Sequence, residues 1–170
     1  MLFRSQDGIE SYLPNYYIKH LVITAGNIDI RHHLLRQENP NLSAMKLIDD
    51  LDTQLRELKR KDLIGSYEVT SPYPIEFEGR KLPKTGFYKN TPFYGSQVER
   101  EKLRQTIQSV LDMRIENVYH WPQEWYEIDP ELYSKLYMEK PGSVHLSPEF
   151  YEWDLLHNAP NYEGLVIVNG

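Results

Sequence analysis

Cysteine is absent from the 170 residues, which removes disulfides, thiolate metal sites and thiol nucleophiles at one stroke. There is also no run of 18 or more apolar residues, so no membrane-spanning helix is expected. The opening MLFRSQDGIESYL lacks the apolar stretch of a signal peptide. A glycine-rich phosphate loop, a Gly-x-Ser-x-Gly elbow and a His-Glu-x-x-His helix are all missing, so the commonest catalytic signatures do not apply. From these absences the expectation is an intracellular protein, or a component of a particle assembled inside a cell, with no cofactor and no metal.

What is present is ordinary globular material, with 40% hydrophobic and 12% aromatic residues and no low-complexity tract. A chain of this length forms one domain, at most with an appendage. The charge is unevenly spread. Residues 1–114 hold 17 cations against 15 carboxylates, whereas residues 115–170 hold 2 against 10, together with all three tryptophans and six of the thirteen tyrosines. That division predicts a core domain over 1–114 and an acidic, aromatic, proline-punctuated extension over 115–170.

The clearest element is Ser43 to Ile64. On a helical wheel Ala44, Leu47, Ile48, Leu51, Leu55 and Leu58 fall within an arc of about 100°, the stripe of a surface helix packed on a core. Ser43 is the expected N-cap, Lys59, Arg60 and Lys61 suit the negative end of the helix dipole, and Gly65 is the expected stop. Asp49, Asp50 and Asp52 lie on its exposed side. A second helix opens at Ser96, where Ser96-Gln97-Val98-Glu99 forms a capping box ahead of Leu103, Ile107, Val110 and Leu111.

Tyr16 to Leu35 reads as a β-hairpin, with Gly26-Asn27 as a two-residue turn between alternating runs. In that register Leu21, Ile23 and Ala25 face Ile28, Ile30 and His32 on a core side. His20, Val22 and Thr24 face Asp29, Arg31 and His33 on a polar side. His20 and His33 would then stand opposite each other, Cβ atoms roughly 5 Å apart, with Arg31 alongside. Two imidazoles so placed could share a metal, or one could act as a base, so His20, Arg31 and His33 are the candidate catalytic residues. A metal normally needs a third or fourth ligand, and none is evident. His120, His145 and His157 have no partner spacing, and His145-Leu146-Ser147 has no second copy to complete a two-histidine phosphoesterase pair.

Short strands are expected over 66–71 and 75–79, followed by a loop over 80–95 and the second helix. The run LDTQLRELKRKDLIGSYEV with the basic segment after it resembles the recognition helix and wing of winged-helix proteins over about 45 residues. The resemblance implies nucleic-acid contacts by Lys59, Arg60 and Lys61 on the helix and by Arg80, Lys81 and Lys84 on the wing. Against it, Asp49, Asp50, Asp52 and Glu57 lie where phosphates would.

Prolines at 122, 130, 141, 148 and 160 limit the last third to short helices, expected at 130–138 and 148–157, before a terminal strand LVIVNG. Tyrosine and tryptophan are enriched at interface cores, so Trp121, Trp125, Tyr126, Tyr133, Tyr137, Tyr151 and Trp153 are the candidate partner-binding residues. The alternative is that these rings cover the chain's own sheet. Taken together, the sequence predicts an α+β fold: a small antiparallel sheet, two amphipathic helices packed on one face and an irregular C-terminal extension. The leading functional expectation is a non-catalytic interaction or structural subunit of a larger assembly such as a virion, bound to another protein or to copies of itself. A winged-helix-like nucleic-acid binder and a small metal-dependent enzyme built on His20 and His33 are the alternatives. No membrane partner is expected.

Overall fold

The structure, a computed structural model, describes residues 8–79, 82–139 and 146–148, and the backbone of 165–169. Its framework is a four-stranded sheet formed by β1 (Ile18–Thr24), β2 (Ile64–Thr70), β3 (Val118–Tyr119) and β4 (Leu165–Asn169). The strands lie in the order β3-β2-β1-β4 and all pairs are parallel. The helices are α1 (Asn27–His32), α2 (Pro40–Arg60), α3 (Gln97–Arg114), α4 (Gln123–Glu127) and α5 (Pro130–Tyr137).

This corrects the antiparallel sheet expected from the sequence. The 16–35 hairpin does not form, because only its first half is a strand. Gly26 takes φ 97°, but it turns the chain from β1 into α1 rather than back along β1. The burial of β1 explains the misreading. Leu21, Val22, Ile23 and Thr24 are all buried, as in a parallel strand covered on both faces, so the apparent alternation did not mark a solvated side. The β1 partners are distant in sequence: Leu21 pairs with Tyr67 on one side and Val166 on the other, Ile23 with Val69 and Val168. The strand expected over 75–79 is absent, residues 71–77 having no regular structure.

Helix α2 begins earlier than Ser43. The Asn39 side chain caps it by accepting from the Leu42 amide at 3.0 Å, and Pro40 occupies the first turn, where its missing N–H costs nothing. Its stripe of Ala44, Ile48, Leu51, Leu55 and Leu58 is buried together with Leu21, Ile23, Ile64 and Val69 of the sheet and Leu103, Ile107, Val110 and Leu111 of α3. The Ser96–Glu99 capping box is present in full at the start of α3. Gly65 is not the stop of α2. It sits inside β2, where an added Cβ would lie 2.5 Å from the Tyr17 hydroxyl and 2.7 Å from the Lys19 carbonyl.

The segment 115–170 contributes to the sheet at both edges. Ile115 belongs to the main core, Val118–Tyr119 pairs with β2, and 165–169 pairs with β1. A second cluster gathers Trp121, Trp125, Tyr133 and Met138. The helix expected at 130–138 is α5, capped by Asp129 with Pro130 in its first turn, whereas the one expected at 148–157 lies almost wholly outside the described residues. Among the described residues no helix is long and apolar enough to cross a membrane.

Candidate functional site

In an open parallel sheet the carboxyl ends of the strands form a crevice where the chain order reverses. Here β1 is followed by β2 and then β3 on one side, while β4 adds on the other, so the reversal lies at β1. The residues leaving its carboxyl end are Thr24, Ala25, Gly26 and Asn27. Thr70, at the end of β2, donates from Oγ1 to Thr24 Oγ1 at 3.1 Å. Asn27 ties the two exits together, its Oδ1 accepting from the Tyr73 amide at 3.3 Å and its Nδ2 donating to the Tyr73 carbonyl at 3.5 Å.

Helix α1 then buries an unusual set of side chains. Asp29, Arg31 and His32 are 2%, 8% and 6% exposed. Arg31 donates from Nε and Nη2 to Glu76 Oε1, a buried ion pair that fastens α1 to the segment after β2. The loop 82–95 folds back over the same helix. The Tyr88 ring stacks on His32, centroids 4.0 Å apart and 8° from parallel, and its hydroxyl hydrogen-bonds His33 Nε2 at 2.7 Å. The Tyr94 amide donates to the Arg31 carbonyl at 2.8 Å, and the Arg36 guanidinium lies 4.1 Å from the centre of the Tyr94 ring. Burial pushes the Tyr88 phenol above its usual range, the charge of Asp29 adds to that rise, and Arg31 opposes it. The hydroxyl beside His33 is therefore a neutral phenol at physiological pH.

The candidates named from the sequence fall differently. Arg31 and His33 do share this site, but through one helix and not across a hairpin. His20 stands two residues into β1 with its Nδ1 2.6 Å from Ser66 Oγ, so the imidazole pair that depended on the hairpin register is not assembled. Among the described residues no three of His, Asp and Glu gather to hold a metal ion. Of the basic residues, Arg60 pairs with Glu57 at 2.6 Å and Lys61 with Glu10 at 2.6 Å, Lys59 lies in the last turn of α2 and Lys84 on an exposed loop. Arg80 and Lys81 lie outside the described residues. Trp121, Trp125 and Tyr133 are buried in the second cluster, with Tyr126 and Tyr137 packed against it. Tyr151 and Trp153 lie outside the described residues.

Sequence reasoning passed over His32, Glu76 and Tyr88, and gave Asp29 no role of its own. One signal was available for the helix residues. An apolar strand, then Gly-Asn, then a dense run of charged and imidazole side chains also describes a strand-to-helix turn of a parallel sheet. Glu76 and Tyr88 have no such local signature. Compared with known proteins, the chain matches no family model, no curated protein and no solved structure.

Gly26 is the hinge of this arrangement, and its replacement by alanine is expected to cost about 1–3 kcal/mol. The nearest atom to the added Cβ would be Pro72 Cγ at 3.8 Å, an ordinary contact, so the loss comes from the positive φ alone. Gly26→Asn should therefore cost less than Gly26→Ala in urea unfolding, asparagine tolerating positive φ better. Equal costs for the two would show that space, not backbone conformation, selects glycine here.

Proposed function

We propose that the protein is a small α/β ligand-binding domain whose site is the carboxyl edge of its sheet. A small polar molecule would be taken between the β1–α1 turn and the loop 82–95. The observation that carries this reading is the burial of Asp29, Arg31, His32 and Glu76 together, just beyond the carboxyl ends of β1 and β2. Charged groups are seldom buried this densely for packing alone, since desolvating them offsets most of what their pairing contributes. Their position at the strand-order reversal is where parallel sheets seat ligands. The experiment is an NMR screen of small polar metabolite fragments against the backbone-assigned protein. Saturable hits are expected to move the Thr24, Gly26, Asn27 and His33 amides. Hits that map only elsewhere, or none at all, would sink the proposal.

A second reading, the assembly subunit, is favoured by one specific surface. Tyr16 and Tyr17, just before β1, are 66% and 53% exposed. Tyr16 and Tyr17 border a cavity of about 320 Å³ with Glu10, Pro14 and Asp62. Exposed rings grouped in this way suit a macromolecular contact. Cross-linking that traps a partner or second copy through these tyrosines supports it, and cross-links confined to other surfaces count against it.

A further inference from the structure

Between Glu78 and Glu99 the chain carries four cations, Arg80, Lys81, Lys84 and Lys89, and no carboxylate, in a protein whose net charge is −6. Lys84 and Lys89 belong to the loop that folds back over α1, and that loop closes on itself. The Asn90 amide donates to the Pro83 carbonyl at 2.8 Å, and the Lys89 and Thr91 amides donate to the Gly86 and Tyr88 carbonyls at 3.1 and 3.0 Å. The closure sets Lys84 and Lys89, both exposed, on the two arms of one turn, with Gly86 at φ 82° and Phe87 at its tip. Phe87 is 82% exposed, more than any other large apolar side chain among the described residues.

A single exposed phenylalanine means little by itself. This one is mounted. Its ring makes a T-shaped contact with Tyr88, centroids 5.1 Å apart and planes at 83°, and Tyr88 in turn stacks on the buried His32. A ring held in place, left to water and flanked by ammonium groups suits an unpaired base, which stacks on the ring while the cations meet its phosphates. We propose that the tip of this loop, with Lys84, Phe87 and Lys89, is a contact for single-stranded nucleic acid. A duplex offers no free base face to a lone ring, and reading it takes an element that enters a groove. Membrane binding scales with the apolar area inserted, and Lys84, Thr85, Lys89 and Asn90 leave this tip a single ring. Tyr88 meets α1 while Phe87 meets solvent, so the contact stands whether or not the carboxyl edge binds a small molecule.

The probe is a fluorescein-labelled oligothymidylate, mixed with the full chain at low salt and followed by anisotropy. Saturable binding is expected, weaker as salt rises, and a duplex of the same length should bind less tightly. Phe87→Ala should weaken the oligonucleotide by about five- to 100-fold, the loss of one stacked base, whereas Phe87→Trp should keep it bound. Lys84→Gln together with Lys89→Gln should flatten the slope of log K against log salt by about 1.4, from two phosphate contacts at about 0.7 each. Thermal melts of these variants should match the wild type, the positions being exposed. Vesicles of phosphatidylcholine and phosphatidylserine should not sediment the protein. Absence of saturable oligothymidylate binding, equal affinity in the wild type and Phe87→Ala, a duplex bound as tightly as the single strand, or capture by the vesicles in place of the oligonucleotide would each overturn the proposal.

Discussion

Replacing Glu76 by alanine is expected to lower the unfolding free energy by about 3–5 kcal/mol, the cost of stranding one partner of a buried ion pair. The side chains of Arg31 and Glu76 are 10% and 4% exposed, so water cannot easily take the place of the lost carboxylate. Both Arg31 nitrogens that face Glu76 converge on the same oxygen, and removing it leaves a guanidinium donor fork without its acceptor. A domain of this kind is stable by about 5–15 kcal/mol, so the loss would be visible in any urea titration. Glu76→Gln should fall between, since the amide oxygen still accepts while the charge is gone. Pairing Arg31→Met with Glu76→Leu should recover much of the loss, because a well-packed apolar pair no longer carries the desolvation cost. A single-variant loss under about 1 kcal/mol, the range of solvated pairs, would show that the pair is in contact with water and that the edge is not a charged interior.

The Arg31–Glu76 pair also marks the limit of what the chain discloses by itself. Features set by a few neighbouring residues were readable. The capping box at Ser96 and Glu99, the stripe of α2, Pro130 at the start of α5 and the terminal strand are all present. Each rests on a period or a cap that needs no distant partner. The sheet was misread because its pairings are remote, β1 meeting residues 64–70 and 165–169, and nothing local records a parallel register. Gly65 shows the same problem on the scale of one residue. Its position after a cationic helix end suggests a stop signal, while its cause is the Tyr17 hydroxyl and the Lys19 carbonyl lying where a side chain would be. Half of the site was therefore visible, as Arg31 and His33, and half arrives from Glu76 and Tyr88 on connections with no regular pattern.

Truncating Trp125 to alanine should destabilise the protein by about 3–5 kcal/mol, as for other buried tryptophans. Trp125 is 3% exposed, stacks on Trp121 with centroids 6.0 Å apart, and packs on Tyr137 at 4.6 Å. The cluster it anchors is coupled to the rest of the fold. The Trp121 indole donates to the Ser71 carbonyl at 2.8 Å, the Tyr126 hydroxyl to the Pro72 carbonyl at 2.8 Å, and the Arg104 guanidinium of α3 lies 4.2 Å from the centre of the Tyr126 ring. Those links reach the exit of β2, so the loss should appear as one cooperative transition with a melting point lower by roughly 6–20 °C. Phe87, 82% exposed, is the control, and Phe87→Ala should leave the melt almost unchanged. The comparison separates two uses of the aromatic residues in this part of the chain. A tryptophan that serves a partner's surface can be removed with little effect on the isolated protein, whereas one that closes the chain's own cluster cannot. A melt of Trp125→Ala matching that of Phe87→Ala would return Trp125 to the interaction surface.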